Sequence, residues 1–177
     1  MKTADLMVST GLAAAGYEYI NSDDCWMLAS VNRSDGGKGP QVPNPSKFPD
    51  GIEKTIEHIH NAGLKFGLYT ARANHTCAGY AAACMHEKVD AMQYARWKID
   101  YLKDDSCGQC RAHDALDYAA MASALEATGR QIVLTVEGDP PVSLMSKGGH
   151  GHAKRVGHDI RPFWYSMVSE VDASSGL

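Results

Sequence analysis

Strand-like and helix-like runs alternate along almost the whole chain with short connections, and few architectures accept that order. Residues 4–15 read as a helix and "YEYINSD" as a strand. A loop rich in proline and glycine follows over residues 34–51. "IEKTIEHIHNAG" carries apolar residues at 52, 56 and 59, which is helical spacing, and Gly63 ends it. "LKFGLYT" is a strand, "EKVDAMQYARWK" a helix and "IDYLKDD" a strand. "DALDYAAMASALEATG" is a helix closed by Gly129, and "QIVLTVE" is a strand. Pro140 and Pro141 open a further helical region, "VGHDI" is a short strand and "FWYSMVSEVDA" a last helix.

Parallel neighbours need a crossover, so this order predicts an α/β fold with a parallel sheet. A doubly wound sheet and part of a (β/α)8 barrel both fit. Polar residues gather at the carboxyl ends of the strands: Asp23 and Asp24, Tyr69, Lys103 and Asp105, Glu137, Asp159. A barrel builds its site there from many strands at once, whereas a doubly wound sheet uses one switch point, often with a glycine fingerprint. The chain has no such fingerprint and no phosphate-binding loop. A whole barrel takes roughly 250 residues, so 177 residues predict a partial barrel in a single domain over 1–177.

Composition narrows the function. Apolar residues make up 44% and the net charge is -4, which fits a packed core and offers nothing to nucleic acid or an anionic membrane. No run is long and apolar enough to span a bilayer, and the first residues do not form a signal-peptide pattern. Two glycosylation triplets, at Asn32 and Asn74, lean toward a secreted route. His150 and His152 lie in a glycine-rich run with no carboxylate at helical spacing and read as loop residues, so no metal or other cofactor is expected. Trp97 and Met92 read as core. "CGQC" is a lone pair of cysteines, and a redox role for it would need a helix N-terminus at Cys107.

"YLKDDSC" carries the chemistry. Side chains alternate on a strand, so Lys103 and Asp105 share the face that looks into the barrel mouth, and Asp104 looks outward. The ammonium favours an ionised Asp105, which suits a nucleophile. Asp104 reads as a solvated or capping residue. On these residues alone, both aspartates could equally cap the helix after Cys107. Asp159, ending "RVGHD", is the natural second carboxyl for glycoside hydrolysis.

The segments "ADLMVSTGLAAAGYEYINSDDCW", "PNPSKFPDGIEKTIEHIHNAGLKFGLYT", "TCAGY", "DYLKDDSC" and "RVGHDI..FWYSMVSEVD" resemble, in order, the α-galactosidase/α-N-acetylgalactosaminidase family, the melibiases of glycoside hydrolase family 27. The resemblance implies strands 2 to 6 of a (β/α)8 barrel, without the first strand, the last two strands and a C-terminal β domain. Such a chain alone is expected to expose two sheet edges and to be inactive.

The resemblance also implies roles. Asp105 is the nucleophile and Asp159 the acid/base of a retaining hydrolase that releases terminal α-linked galactose. Asp23 and Asp24 bind the 4- and 6-hydroxyls, with Lys103, Tyr69 and Arg155 at the sugar. Glu137 lies near the 2-substituent and favours hydroxyl over acetamido. Cys77 pairs with Cys107, and Cys25 is left unpaired. The resemblance assigns nothing to Cys84 and Cys110, which are free to form a further bridge. Alternatives are an α-N-acetylgalactosaminidase and an inactive carbohydrate-binding remnant. A secreted, lysosomal or vacuolar setting is implied, and a homodimer is left open. The chain departs from the family pattern at Asp104, where an aromatic or aliphatic residue is usual. It also departs at "ARAN" after Tyr69, at "VEGDPP", which lacks a cysteine and a tryptophan, and at Lys154, which replaces a tryptophan.

Overall fold

The computed structural model describes residues 2–29, 33–111, 113–137, 151–155 and 157–174. The elements run α1 (Lys2–Ser9), β1 (Tyr19–Asn21), α2 (Ile52–Asn61), β2 (Lys65–Ala71), α3 (Glu87–Trp97), β3 (Tyr101–Asp105), α4 (Asp114–Glu126), β4 (Val133–Val136), β5 (Ala153–Lys154) and α5 (Trp164–Ser174). One five-stranded sheet has the order β1-β2-β3-β4-β5. Every pair is parallel. Spatial order equals chain order, so no strand is crossed over and the sheet has no switch point. That topology is an arc of a barrel, as the alternation predicts, and differs from a doubly wound sheet.

The core lies between the sheet and its helices. Ile52, Ile56 and Ile59 of α2, Ala91, Tyr94 and Trp97 of α3 and Tyr118, Met121 and Leu125 of α4 are buried against Phe66, Leu68, Leu102 and Leu134. Trp26 meets Tyr94 and Trp97 edge-on, with Trp26 and Trp97 centroids 5.8 Å apart, and Tyr94 and Trp97 are tilted to each other. Gly63 at φ 76 and Gly129 at φ 72 follow α2 and α4, in the left-handed backbone region that halts a helix. Gly67 sits where β1 and β3 press on β2: a Cβ there would lie 2.9 Å from the Tyr101 Cβ.

Several elements differ from the sequence reading. The first helix stops at Ser9, where the Ser9 and Thr10 hydroxyls donate to the Leu6 carbonyl and compete with the helix. Met92 is half exposed, because the buried stripe of α3 runs through residues 91, 94 and 97 and Met92 falls beside it. The last strand is Ala153–Lys154, not the "VGHDI" segment. Its partner β4 ends at Val136, which pairs with Lys154, and among the described residues those beyond Arg155 have no ladder to join. The helical region expected from Pro140, and His150, lie outside the described residues. Among the described residues no helix is long and apolar enough to cross a membrane.

Candidate active site

All eight residues read as catalytic or sugar-binding line one open cleft of about 390 Å³ at the carboxyl end of the sheet, and Cys77, Ser106 and Cys107 line it with them. Strand alternation brings this about. Lys103 and Asp105 face the cleft from β3, and Tyr69 stands beside Lys103 in the ladder. Glu137 follows β4 and Arg155 follows β5, while Asp23 and Asp24 come from the turn after β1.

Asp105 is enclosed, with a side chain only 10% exposed, and Glu137 beside it is equally sheltered at 8%. The Tyr69 hydroxyl donates to its Oδ2 at 2.7 Å and the Ser106 N–H to its Oδ1 at 2.6 Å. Lys103 Nζ lies 3.6 Å from Oδ2. Burial alone would raise this carboxyl, but hydrogen bonds from the Glu137 side, Tyr69 and Ser106, together with the Lys103 charge, outweigh it and hold Asp105 below the usual range. Glu137 is pushed the other way, by burial first and then by Asp105 beside it, with Lys103 opposing. Of the two adjacent carboxyls, Asp105 is therefore the more readily ionised. Burial and the Asp105 contact push the Tyr69 hydroxyl far up, so it stays a donor.

Lys103 is the hub. Its ammonium lies 3.0 Å from Glu137 Oε1 and 3.8 Å from Asp23 Oδ1, and 5.1 Å above the Tyr69 ring. Burial works against its charge, and Glu137, Asp105 and Asp23 outweigh that and raise it. Arg155 donates from NH1 to Glu137 Oε2 at 3.1 Å and from NH2 to Asp159 Oδ1 at 2.7 Å. Asp159 is 93% exposed and sits on a loop at the lip of the cleft, not at a strand end as "VGHDI" had suggested. Asp24 accepts from the N–H groups of Cys25 and Ala78, at 2.6 and 3.0 Å. Asp23 accepts the Asp24 N–H at 2.8 Å and keeps an exposed carboxylate.

Cys77 and Cys107 form a disulfide, with Cα atoms 5.0 Å apart. Its sulfurs flank the acid and its donor: Cys77 Sγ lies 3.9 Å from Asp105 Oδ2 and Cys107 Sγ 3.4 Å from the Tyr69 hydroxyl. Those two sulfurs and Asp105 make the one metal-like grouping among the described residues, and the disulfide removes both thiolates. Cys84 and Cys110 form a second disulfide and Cys25 is free. "CGQC" is thus two halves of two different bridges. His152 immediately precedes β5, its Nδ1 accepting the Leu134 N–H at 2.9 Å.

Two features escape strand-face reading. Ser106 grips the acid through its backbone, which no side-chain pattern reveals. Asp104 is buried, with 1% exposure, and is not solvated. It does face away from the barrel, but α3 and α4 cover that side, and their polar residues at 87 and 117 were the available signal.

Parallel βα units in chain order, with acids gathered at the carboxyl ends of the strands, make up the architecture of (β/α)8-barrel enzymes. The family model described as Alpha galactosidase A matches residues 1–170, and the chain belongs to this melibiase family. An α-galactosidase of Cyamopsis tetragonoloba is 40% identical over 173 residues, which cover 95% of this chain and 40% of that protein. One from Coffea arabica is 39% identical over 96% of this chain and 44% of its own length. The Saccharomyces cerevisiae α-galactosidase solved with raffinose superposes with a TM-score of 0.78 at 32% identity, over 92% of this chain and 36% of that one. The α-galactosidase I of Mortierella vinacea gives 0.80 at 33%, over 89% and 40%. The chain therefore spans about two fifths of the length of these relatives.

Proposed function

We propose that the protein carrying this chain is a retaining α-galactosidase that releases terminal α-linked galactose from a galactoside, with Asp105 as nucleophile and Asp159 as acid/base. The observation that carries the reading is Asp105: a buried carboxyl held ionised by Tyr69, Ser106 and Lys103 in the same cleft as the exposed Asp159. Asp105 attacks the anomeric carbon while protonated Asp159 gives its proton to the departing oxygen. Asp159 then takes a proton from water, which attacks the glycosyl-enzyme ester and frees the sugar with its configuration retained. Charged acceptors bind hydroxyls strongly, so Asp23 and Asp24 serve the 4- and 6-hydroxyls. Glu137, fixed by Lys103 and Arg155, serves the 2-hydroxyl and leaves little room for an acetamido group. The two disulfides and the Asn74 triplet support an oxidising, secretory setting. A panel of chromogenic α-glycosides with the full protein tests the reading: hydrolysis of the α-galactoside above the α-N-acetylgalactosaminide is expected. Binding without hydrolysis of either would overturn it in favour of a non-catalytic module.

A further inference from the structure

Directly behind the nucleophile, on the helix-covered side of the sheet, lies a buried cluster of charged side chains that the chemistry above does not use. Asp104, its centre, pairs in the ladder with Thr70 of β2 and Val136 of β4. Both of its carboxyl oxygens are buried without a hydrogen-bond partner among the described residues. Around it stand Glu87 and Tyr94 from α3, Asp117 and Tyr118 from α4, Arg72 just beyond β2 and Arg111 from the loop before α4. Asp90 of α3 is also near, but Arg33 grips it at both oxygens, 2.8 Å each.

The charges decide the state of Asp104. Arg111 NH1 lies 2.7 Å from Glu87 Oε1 and 3.0 Å from Asp117 Oδ1. Arg72 NH1 lies 4.0 Å from Asp117 Oδ2, and its guanidinium stacks over the Tyr118 ring. Among the described residues, and setting aside the closed Arg33–Asp90 pair, two guanidiniums answer two carboxylates, and an ionised Asp104 would be a third. A buried charge without hydrogen bonds costs far more than a buried neutral acid. Burial, then Glu87 and Asp117, push this carboxyl well up, with Arg72 opposing.

The link to the site is covalent and short. Asp104 immediately precedes Asp105, and the Asp105 carbonyl accepts the Arg72 N–H at 3.1 Å. Asp117 accepts the Cys110 and Arg111 N–H groups at 3.2 and 3.1 Å, so the same cluster holds the loop that carries Cys107. We propose that Asp104 is a pH-dependent positioning residue for Asp105: as a neutral acid it lets the end of β3 seat against α3 and α4, and its ionisation unseats the nucleophile. The positioning role rests on the reading of Asp105 as nucleophile; the protonation state does not.

The sign follows from linkage. A carboxyl raised in the folded state adds stability that is complete below the ordinary aspartate range and is lost as pH rises through the folded value. Across that window the folding equilibrium constant falls about tenfold per pH unit.

The experiment follows thermal unfolding of wild type, Asp104→Asn and Asp104→Leu across pH 4 to 8, and the pH profile of kcat and KM for an aryl α-galactoside in the full protein. Wild type is expected to lose stability as pH rises, and both neutral variants to lack that slope. The alkaline limb of kcat is expected to move up in Asp104→Asn, with KM little changed. Wild-type stability that rises with pH, with the Asn variant weakened at every pH, would show an ionised Asp104 paired with Arg72 and would overturn the proposal. So would failure of both neutral variants to fold at acidic pH, or an unmoved alkaline limb. The unfolding arm needs no galactoside, so it stands or falls apart from the assigned activity.

Discussion

The Tyr69 hydroxyl donates to Asp105 Oδ2 at 2.7 Å, across neighbouring strands of the sheet. That bond stabilises the ionised carboxyl and so sets the acid edge of any activity that needs it. Tyr69→Phe removes the donor, and Asp105 should then titrate higher. A hydrogen bond to a charged group is worth roughly 1.5–3 kcal/mol, and about 1.4 kcal/mol is one pH unit. The acidic limb of kcat/KM should move up by about one to two units; an unmoved limb would remove Tyr69 from this role.

Asp105→Asn should cut turnover by orders of magnitude, because the amide cannot form the glycosyl ester. A 2-deoxy-2-fluoro-galactoside should label the peptide that contains Asp105. Label on another peptide would refute the assignment.

Asp159 stands in solvent, held by Arg155 through a single hydrogen bond among the described residues. Asp159→Ala should slow galactosides with poor leaving groups far more than activated aryl galactosides, since only the former need a proton. Equal losses on both would count against it.

The Cys84–Cys110 bridge joins residues 26 apart in sequence. On a chain-entropy estimate such a loop is worth roughly 3.5 kcal/mol. Replacing both cysteines with alanine should lower the unfolding midpoint by several degrees, and non-reducing peptide mapping of wild type should find the cross-link. Free thiols at both positions would contradict it.

The Arg33–Asp90 pair is almost wholly enclosed, with side chains 4% and 0% exposed. Asp90→Asn leaves a buried guanidinium uncompensated and should cost about 3–5 kcal/mol. A loss below roughly 1 kcal/mol, the range of a surface pair, would mean that water reaches it.

Much of this was legible in the sequence because periodicity survives wherever one face of an element is buried. Helices α2 and α4 end at glycines the reading named, and the shared face of Lys103 and Asp105 follows from strand alternation alone. What periodicity could not supply was the environment beyond a strand's own neighbours. Asp104 reads as solvated because an outward side chain on β3 meets water or a helix according to packing, which no local pattern encodes. The end of the sheet was misjudged for a related reason: β5 is short because β4 stops at Val136, a fact about its partner. The second disulfide joins loops that only the fold brings together.

The two disulfides have a topological consequence. Cys77 and Cys84 bracket one loop, Cys107 and Cys110 bracket another, and the bridges run 77 to 107 and 84 to 110. Backbone and bridges together close a covalent ring through residues 77–84 and 107–110. A single proteolytic cut between Cys77 and Cys84, where Ala78 and Gly79 are exposed, opens the ring without severing the molecule. Both new ends stay tethered to the strip just past Asp105. A nicked chain would therefore still migrate as one species until it is reduced, and would hold the cleft's wall in place by its sulfur links.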